Sequence, residues 1–284
     1  MKALIDGDVI VYVCGFASDK TMYTCPDGHQ EQYKSNANAH CDAKGLDKTA
    51  ITKAVTPEPV EHCLHSVKLF LKDIIKSVDG TSHKIFLTGK GNFRDELYGD
   101  YKANRDRSVK PLHYDAIREY LINVWHADEV VGVEADDALG WAQYKEIMST
   151  KGSLEDSESC ICTIDKDLNQ IPGWHYNWKA DGGMGTMYMT TPEESLLYFF
   201  TQWLVGDSAD NIPGVPKVGY KTAQKILQPL VSSNSTVKEY YDCILNQYRK
   251  HGKDAGWVNM IGDLLWMQRN PSETWSTHLG IARQ

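Results

Sequence analysis

The sequence lacks three features that would each define a class of protein. It has no run of about 18 apolar residues, so no membrane span is predicted. Its seven cysteines have no CxxC spacing, which favours reduced thiols over a disulfide framework. It also lacks an excess of basic residues, since its net charge is −8. Because the N-terminus enters a strand at once, we expect no signal peptide and a cytoplasmic address.

The acidic residues that are present form four clusters. Three of them follow short apolar runs that are typical of buried strands, namely Ala3–Ile5, Glu129–Val133 and Cys160–Ile164. The carboxyl ends of parallel strands meet at one edge of a sheet, so their acids should converge. Converging carboxylates repel one another unless cations lie between them, and Mg²⁺ or Mn²⁺ suits oxygen ligands. The candidate residues are Asp6, Asp8, Glu134, Asp136, Asp137, Asp165, Asp167, Asp207 and Asp210.

Each acidic cluster also has a simpler structural explanation. Asp136 or Asp137 would cap a helix over Ala138–Met148, and Asp165 would head a turn. Capping accounts for one cluster but not for four. The clusters hold nine acids, so the rest of the chain is close to neutral and the net charge does not exclude a nucleic-acid partner.

The segment Gly206–Ala223 places an acidic cluster directly before a turn rich in glycine and proline. Gly214 and Gly219 allow backbone N–H groups to point outward, and Lys217 and Lys221 add positive charge beside a helix start. This pattern predicts a phosphate-binding turn. The alternative is a surface loop in which the glycines only cap helices.

A basic stretch between residues 90 and 110 suits a single nucleic-acid strand. Lysine and arginine neutralise phosphates, and the interleaved aromatic rings stack on unpaired bases. The alternative is a solvated, charge-rich helix. The stretch contains Lys90, Phe93, Arg94, Tyr98, Tyr101, Lys102, Arg105, Arg107 and Lys110.

Alternating strand and helix patterns predict a mainly parallel α/β domain over residues 1–190 and a helical region over 191–284. Residues 15–56 are polar, so we expect a loop or surface flap there. Cys25, His29, His40 and Cys41 lie in this segment, but their irregular spacing does not favour zinc. Trp203, Trp257 and Trp266 are expected to pack in the core.

Taken in order, these motifs resemble the bacterial and phage 5′-to-3′ exonucleases and flap endonucleases, including the 5′-nuclease domain of DNA polymerase I. The resemblance covers most of the chain, except residues 15–56 and the segment after about residue 228. It implies a PIN-like 5′-nuclease core and a helix-hairpin-helix motif at 203–228. The matching segments are Asp6, Asn92–Leu97, Tyr101–Arg105, Val133–Asp137, Thr163–Gln170 and Gly206–Ala223.

The resemblance implies a two-metal 5′ nuclease that leaves 5′-phosphate and 3′-hydroxyl ends. Arg94 and Lys102 would hold the scissile phosphate in a gateway over residues 90–112, with Tyr101 as the stacking platform. The first Mg²⁺ would take Asp6, Glu134, Asp136 and either Asp165 or Asp137, and the second would take Asp167, Asp207 and Asp210. The DNA-binding residues would be Lys90, Phe93, Tyr101, Arg105, Gly214, Lys217, Gly219 and Lys221, with K⁺ at the hairpin.

The implied substrate is duplex DNA with a 5′ end or a 5′ flap, which the enzyme would cut during replication or repair. We expect a monomer that works with replication proteins and without a membrane, in the cytoplasm of a phage-infected host. One position departs from the family, because Gly89 occupies the place of an expected aspartate. Two alternatives follow. A DNA-binding protein with a decayed metal site would explain Gly89, and a dehalogenase-type phosphatase would use Asp6 as nucleophile and Asp8 as acid/base.

Overall fold

The computed structural model describes residues 1–106 and 108–283, so Arg107 of the basic stretch lies outside the described residues. The strands are β1 (Lys2–Asp6), β2 (Asp19–Thr24), β3 (Gln30–Glu31), β4 (Thr52–Pro57), β5 (Ser82–Asn92), β6 (Asp128–Gly132), β7 (Ser159–Cys162), β8 (Gly173–Asn177), β9 (Thr186–Thr190), β10 (Gly206–Asp207) and β11 (Ile212–Pro213). The helices are α1 (Gly7–Ser18), α2 (Lys34–Lys44), α3 (Val60–Ser77), α4 (Phe93–Leu97), α5 (Tyr114–Trp125), α6 (Ala135–Ser149), α7 (Pro192–Val205), α8 (Tyr220–Ser232), α9 (Val237–Arg249), α10 (Ala255–Leu265) and α11 (Trp275–Leu279).

By its contacts the chain divides into two units. The first contains Met1–Asp8, Ile74–Arg107 and His126–Gln284, and the second contains Val9–Asp73 and Ser108–Trp125. The boundary near residue 190 that the sequence suggests stays a prediction. No helix in the described ranges is both long and apolar enough to cross a membrane.

The first unit is built on a six-stranded sheet with the order β6-β5-β1-β7-β8-β9. All neighbouring strands pair in parallel except β9, which runs antiparallel to β8 at one edge. Ala3, Leu4 and Ile5 of β1 are all buried, and such a run without alternation is typical of a central parallel strand. The mainly parallel α/β fold predicted from the sequence is confirmed.

Helix α6 packs on this sheet and thereby fixes the edge where the acids lie. Its apolar residues share one buried cluster with residues of β1, β5 and β7. Because β6 leads into α6 through only two residues, the first turn of α6 lies at the carboxyl edge of the sheet. The packed residues are Leu4, Phe86, Ala135, Ala138, Leu139 and Ile161.

The C-terminal helices α7 to α11 surround a second hydrophobic core. Trp203 and Trp266 are buried in it and Trp257 packs against it partly buried, as expected for all three. Trp275 is buried there as well. Thr191 caps helix α7, because its side chain accepts a hydrogen bond from the backbone N–H of Glu194, and Pro192 is the first residue of the helix. The helical region predicted for the C-terminal third is thus present.

The turn between α7 and α8 is held tightly against the end of α7. Strands β10 and β11 pair across it, and Ile212 and Val215 anchor it in the C-terminal core. A Cβ at Gly214 would overlap the backbone carbonyl of Val205, so this position requires glycine. At Gly219, the residue before α8, a Cβ would meet open space.

The polar segment in the second unit is folded, so the loop expected over residues 15–56 is wrong. Strand β2 pairs antiparallel with β3 and β4, and α2 packs on this three-stranded sheet. The sequence conceals these elements because their apolar cluster is small, with only Cys25, Ala37 and Cys41 fully buried. Every residue of β4 is exposed.

Gly214→Ala should destabilise the protein, because the added methyl group has no room beside Val205. We expect the free energy of unfolding to fall by about 1–3 kcal/mol in urea denaturation, as for other overpacked sites. Gly219→Ala is the matched control and should change the free energy by less than about 1 kcal/mol. Equal effects of the two substitutions would contradict the tight contact assigned to Gly214.

Candidate functional site

The first acidic cluster lies at the carboxyl edge of the sheet, as the sequence predicts. Asp6 ends β1 and is 2% exposed, and its Oδ2 accepts a hydrogen bond from Thr163 Oγ1 at 2.8 Å. Thr163 Oγ1 also accepts from the backbone N–H of Asp165 at 3.0 Å. Thr163 therefore connects the ends of β1 and β7, a role that the sequence analysis missed although Thr163 lies in the matched motif.

Asp136 reports how closely these acids lie. Its pKa is raised well above the usual range, first by burial and then by the negative charges of Asp6, Asp165 and Glu134. Four carboxylates from three separate segments therefore repel one another at one place. Repulsion of this kind has no structural benefit of its own, and it is expected where carboxylates are clustered in order to bind cations.

Glu134, just before α6, is held by cationic and hydroxyl groups. Its Oε1 accepts hydrogen bonds from Asn92 Nδ2 at 3.0 Å and from Lys102 Nζ, and its Oε2 accepts from Tyr101 OH at 3.0 Å. Burial raises the pKa of Glu134, but the positive charges of Lys102 and Arg94 outweigh it, so the net pKa is lowered. Glu134 is therefore ionised at neutral pH.

The second acidic cluster joins Asp167 and Asp207. The pKa of Asp207 is raised by burial and by its hydrogen bond and charge interaction with Asp167. Tyr198 OH and Lys166 Nζ both donate to Asp167 Oδ1, at 3.0 and 2.7 Å. Tyr198 has no recognisable motif, and only its position on α7 brings it here.

Asp210 lies between the two clusters and the basic stretch. Tyr101 OH lies 3.1 Å from its Oδ2, so the single hydroxyl proton is shared between Glu134 and Asp210. Lys102 Nζ lies 3.6 Å from the same oxygen, and Arg105 Nη2 donates to Oδ1. The backbone N–H of Lys102 also donates to the carbonyl of Asp210 at 2.8 Å. The basic stretch and the loop before α8 thus form one hydrogen-bonded assembly.

Arg94 is not placed to hold a phosphate, which corrects the sequence prediction. It is 1% exposed, and its Nη1 and Nη2 donate to the two carboxylate oxygens of Asp137 at 2.6 and 3.0 Å. Its Nε and Nη2 also donate to the carbonyls of Leu264 and Trp266. A guanidinium with these four hydrogen bonds positions the surrounding segments.

Asp137 is likewise wrongly predicted as a metal ligand. It is fully buried, and besides Arg94 it accepts hydrogen bonds from the backbone N–H groups of Glu134 and Gln268, at 3.3 and 3.1 Å. Both oxygens are therefore used inside the protein. Asp165, the other alternative left open for this site, is one of the acids whose charge raises the pKa of Asp136.

Tyr101 is also unsuited to its predicted role as a stacking platform. Its side chain is only 3% exposed, and its hydroxyl bridges Glu134 and Asp210. Phe93 is half-buried under the Arg94 guanidinium, which lies 4.6 Å from the ring centroid. Lys90, Arg105, Lys217 and Lys221 are exposed and stay candidates for contacts with a polyanion.

Gly89, which stands where the family has an aspartate, has no room for a side chain. A Cβ at Gly89 would overlap the backbone carbonyl of Val130 in the adjacent strand β6. Its neighbour Thr88 faces the first turn of α6, where Thr88 Oγ1 accepts from the backbone N–H of Ala135 at 2.9 Å. Asp8 is tied to the same strand, because its Oδ2 accepts from the backbone N–H of Thr88 at 3.1 Å.

The donor set of the two clusters fits hard divalent cations, since it consists of carboxylate oxygens without thiolate or imidazole. Three of these acids contact basic side chains: Glu134 contacts Lys102, Asp210 contacts Arg105, and Asp167 contacts Lys166. No group of three or more acidic, histidine or cysteine side chains is arranged as a metal site in the part of the chain that the structure describes. Cation binding would therefore require these lysine and arginine contacts to rearrange.

Replacing the clustered Asp207 and the ion-paired Asp137 by asparagine should change the free energy of unfolding in opposite directions. The folded state raises the pKa of Asp207, so its ionisation above that pKa costs folding free energy, and Asp207→Asn should stabilise the protein at neutral pH. Asp137→Asn breaks a buried ion pair and should lower the free energy of unfolding by about 3–5 kcal/mol.

Thermal unfolding in EDTA at pH 7 measures both effects, at roughly 2–4 °C in Tm for each kcal/mol. A loss of stability in Asp207→Asn as large as that in Asp137→Asn would mean that Asp207 is a structural residue.

No protein-family model matches the chain. It is 33% identical over 195 residues to the thermostable DNA polymerase I of Thermus aquaticus, a match that covers 64% of this chain and 22% of the polymerase. It is 31% identical over 172 residues to the 5′-3′ exonuclease of Buchnera aphidicola subsp. Schizaphis graminum, covering 56% of this chain and 55% of that protein. The chain thus spans about a fifth to half the length of these relatives.

Among solved structures, the fold is similar to that of the bacteriophage T5 D15 flap endonuclease in complex with DNA and metal ions, with a TM-score of 0.57 and 14% identity over 94% of this chain and 88% of that one. It is also similar to the T5 5′-exonuclease with bound zinc ions, with a TM-score of 0.53 and 16% identity over 93% and 89% of the two chains. The sequence matches confirm the resemblance to the 5′-3′ exonuclease and DNA polymerase I relatives, and the structural matches show that the chain shares the fold of the T5 enzymes.

Proposed function

We propose that the protein is a metal-dependent, structure-specific 5′ nuclease that hydrolyses DNA phosphodiesters at a 5′ end or at the base of a 5′ flap. The products would be a 5′-phosphate and a 3′-hydroxyl. The observation that carries the proposal is the convergence of Asp6, Glu134, Asp136 and Asp165 at one place, where burial and then the charges of the other three acids raise the pKa of Asp136. A protein gains from such a cluster only when cations bind it.

Two Mg²⁺ ions, replaceable by Mn²⁺, are the cofactors that suit these ligands. Asp6, Glu134, Asp136 and Asp165 would hold one ion, and Asp167, Asp207 and Asp210 would hold or orient the other. When bound, such ions lower the pKa of water and stabilise the leaving oxygen of a phosphodiester. The remaining work belongs to the side chains around the clusters.

Lys102 is the cation best placed to contact the scissile phosphate. It is half-buried between Glu134 and Asp210, so its ammonium group lies where negative charge concentrates. The Tyr101 hydroxyl contacts the same two carboxylates. We assign Lys102 to the phosphate and Tyr101 and Arg94 to the positioning of acids.

The turn between α7 and α8 would bind the duplex away from the cut. Gly214, Lys217, Gly219 and Lys221 offer backbone N–H groups and two exposed lysines at the start of α8. A K⁺ ion at the turn would fit between backbone carbonyls and phosphate. Lys90, Phe93 and Arg105 would contact the single-stranded part of the substrate.

Both alternative functions have less support. A protein with a decayed metal site would keep the repulsion among the acids without any use for it. A dehalogenase-type phosphatase needs an accessible Asp6 and a mobile Asp8. Asp6 is 2% exposed, and Asp8 is bound to the backbone of Thr88. The proposal covers both exonuclease and flap cleavage. It also includes a monomeric protein and replication proteins as its partners.

The decisive experiment uses a duplex with an end-labelled 5′ flap, incubated with the protein in Mg²⁺, in Mn²⁺ and in EDTA. We expect short 5′ fragments with either metal and intact DNA in EDTA. Asp165→Asn should lower turnover by orders of magnitude while DNA affinity stays within a few fold. DNA that is bound but never cut under any metal condition would favour the decayed-site alternative.

Lys102→Ala tests the assignment of the phosphate contact. We expect kcat to fall by about 10²–10³, as when one donor to a transition-state charge is removed. Lys238→Ala removes an exposed lysine of α9 and is the matched control, with unchanged kcat. If Lys102→Ala instead changes only the melting temperature, Lys102 serves as an internal counter-ion of Glu134 and not as a catalytic residue.

A further inference from the structure

A group of chemically active side chains lies in the second unit, away from the acidic clusters in the sequence. The turn between β2 and β3 carries Cys25 and His29, and α2 carries His40 and Cys41. The spacing along the chain is irregular, but the hairpin and the helix bring all four residues together. We propose that Cys25, His29, His40 and Cys41 form a structural binding site for Zn²⁺.

The two hairpin residues share one face. Tyr23 pairs with Glu31 and Thr24 with Gln30, and the backbone N–H of Cys25 donates to the carbonyl of His29 at 2.8 Å. Cys25 and His29 are therefore cross-strand neighbours, and such pairs point to the same side of the hairpin. That side faces α2, because Cys25 Sγ lies 3.6 Å from the carbonyl oxygen of Ala37.

The two helix residues meet this pair. Cys25 and Cys41 are both buried and belong to the same small cluster. The rings of His29 and His40 stack with centroids 3.8 Å apart. Two thiols and two imidazoles thus lie at one hairpin–helix junction, which is the ligand set and architecture of structural zinc sites.

Both histidines have the outer partners that zinc ligands commonly use. His29 Nε2 lies 3.0 Å from Glu31 Oε1, and His40 Nε2 lies 2.8 Å from Asp27 Oδ2. A carboxylate at Nε2 holds the proton there and leaves Nδ1 as the metal ligand. Asp27 also accepts from the backbone N–H of His29 at 3.1 Å, so it orders the turn as well.

The packing of this segment gives the metal a structural purpose. The apolar cluster consists of Cys25, Ala37 and Cys41, with Tyr23, Leu46 and Ile51 at its border, and β4 is entirely exposed. So small a core rarely stabilises a three-stranded sheet and a helix alone, and natural small domains often add a metal. Zinc binding would supply that stability.

Zinc binding requires a local rearrangement of the histidine side chains. The stacked rings must separate, since no three such side chains within the described residues already form a metal site. The two thiols would lose their protons as two Zn–S bonds form, so two protons are released for each ion bound. No redox step is involved.

The test measures metal in the full chain, expressed with zinc, purified without a histidine tag and dialysed against Mg²⁺. We expect about one tightly held Zn²⁺ per chain, released by a mercurial thiol reagent. Reconstitution with Co²⁺ should give a thiolate-to-metal charge-transfer band. This band distinguishes the site from the acidic clusters, which contain no sulfur and also bind divalent ions.

Cys25→Ser and Cys41→Ser should each abolish the charge-transfer band and the retained zinc, and the matched control Cys243→Ser should keep both. Asp165→Asn should also keep both, so failure of the nuclease proposal leaves this result unchanged. If the serine variants fail to fold, mercurial release from the unmodified chain decides the question. Absence of retained zinc and of the cobalt band, or a Cys25–Cys41 disulfide found by mass spectrometry, would overturn the proposal.

Discussion

The buried ion pair between Arg94 and Asp137 is the interaction on which the rest of the first unit depends. It joins the short helix α4 to the first turn of α6. Through Leu264, Trp266 and Gln268 it ties both to the end of α10 and to the segment that follows. A pair this deeply buried contributes to the fold only when every remaining donor and acceptor is satisfied. Here Arg94 makes four hydrogen bonds and Asp137 accepts two more from backbone N–H groups.

This ion pair also affects the positions of residues that it does not contact. Asp137 lies one residue from Asp136, so fixing Asp137 fixes where Asp136 points its charge. Asp136 is thereby held against Asp6 and Asp165 although the three repel one another. Stability provided at Arg94 offsets the free energy lost at the acids, which is the usual balance between a strained site and its support.

The sequence predicts those parts of the site that follow from local rules. Asp6, Glu134 and Asp165 come at the ends of strands, and any parallel sheet brings such residues to one edge. Arg94 and Asp137 are different, because nothing local distinguishes a charged residue that binds a ligand from one buried in an ion pair. The sequence predicts a stacking role for Tyr101 for the same reason, since an aromatic ring in a basic stretch has the same sequence signal whether it faces solvent or two carboxylates.

The folded segment between β2 and β4 is a harder case for sequence analysis. Its polar composition predicts a loop because propensity and hydrophobic pattern carry no information about metal ligands or small cores. His29 and Cys25 lie on one side of a hairpin, whereas His40 and Cys41 are adjacent on a helix, so no fixed spacing relates the two pairs. Only the register of β2 and β3, together with the position of α2, brings them to one place. Tertiary structure therefore carries the chemical information at this junction and at the Arg94–Asp137 pair alike.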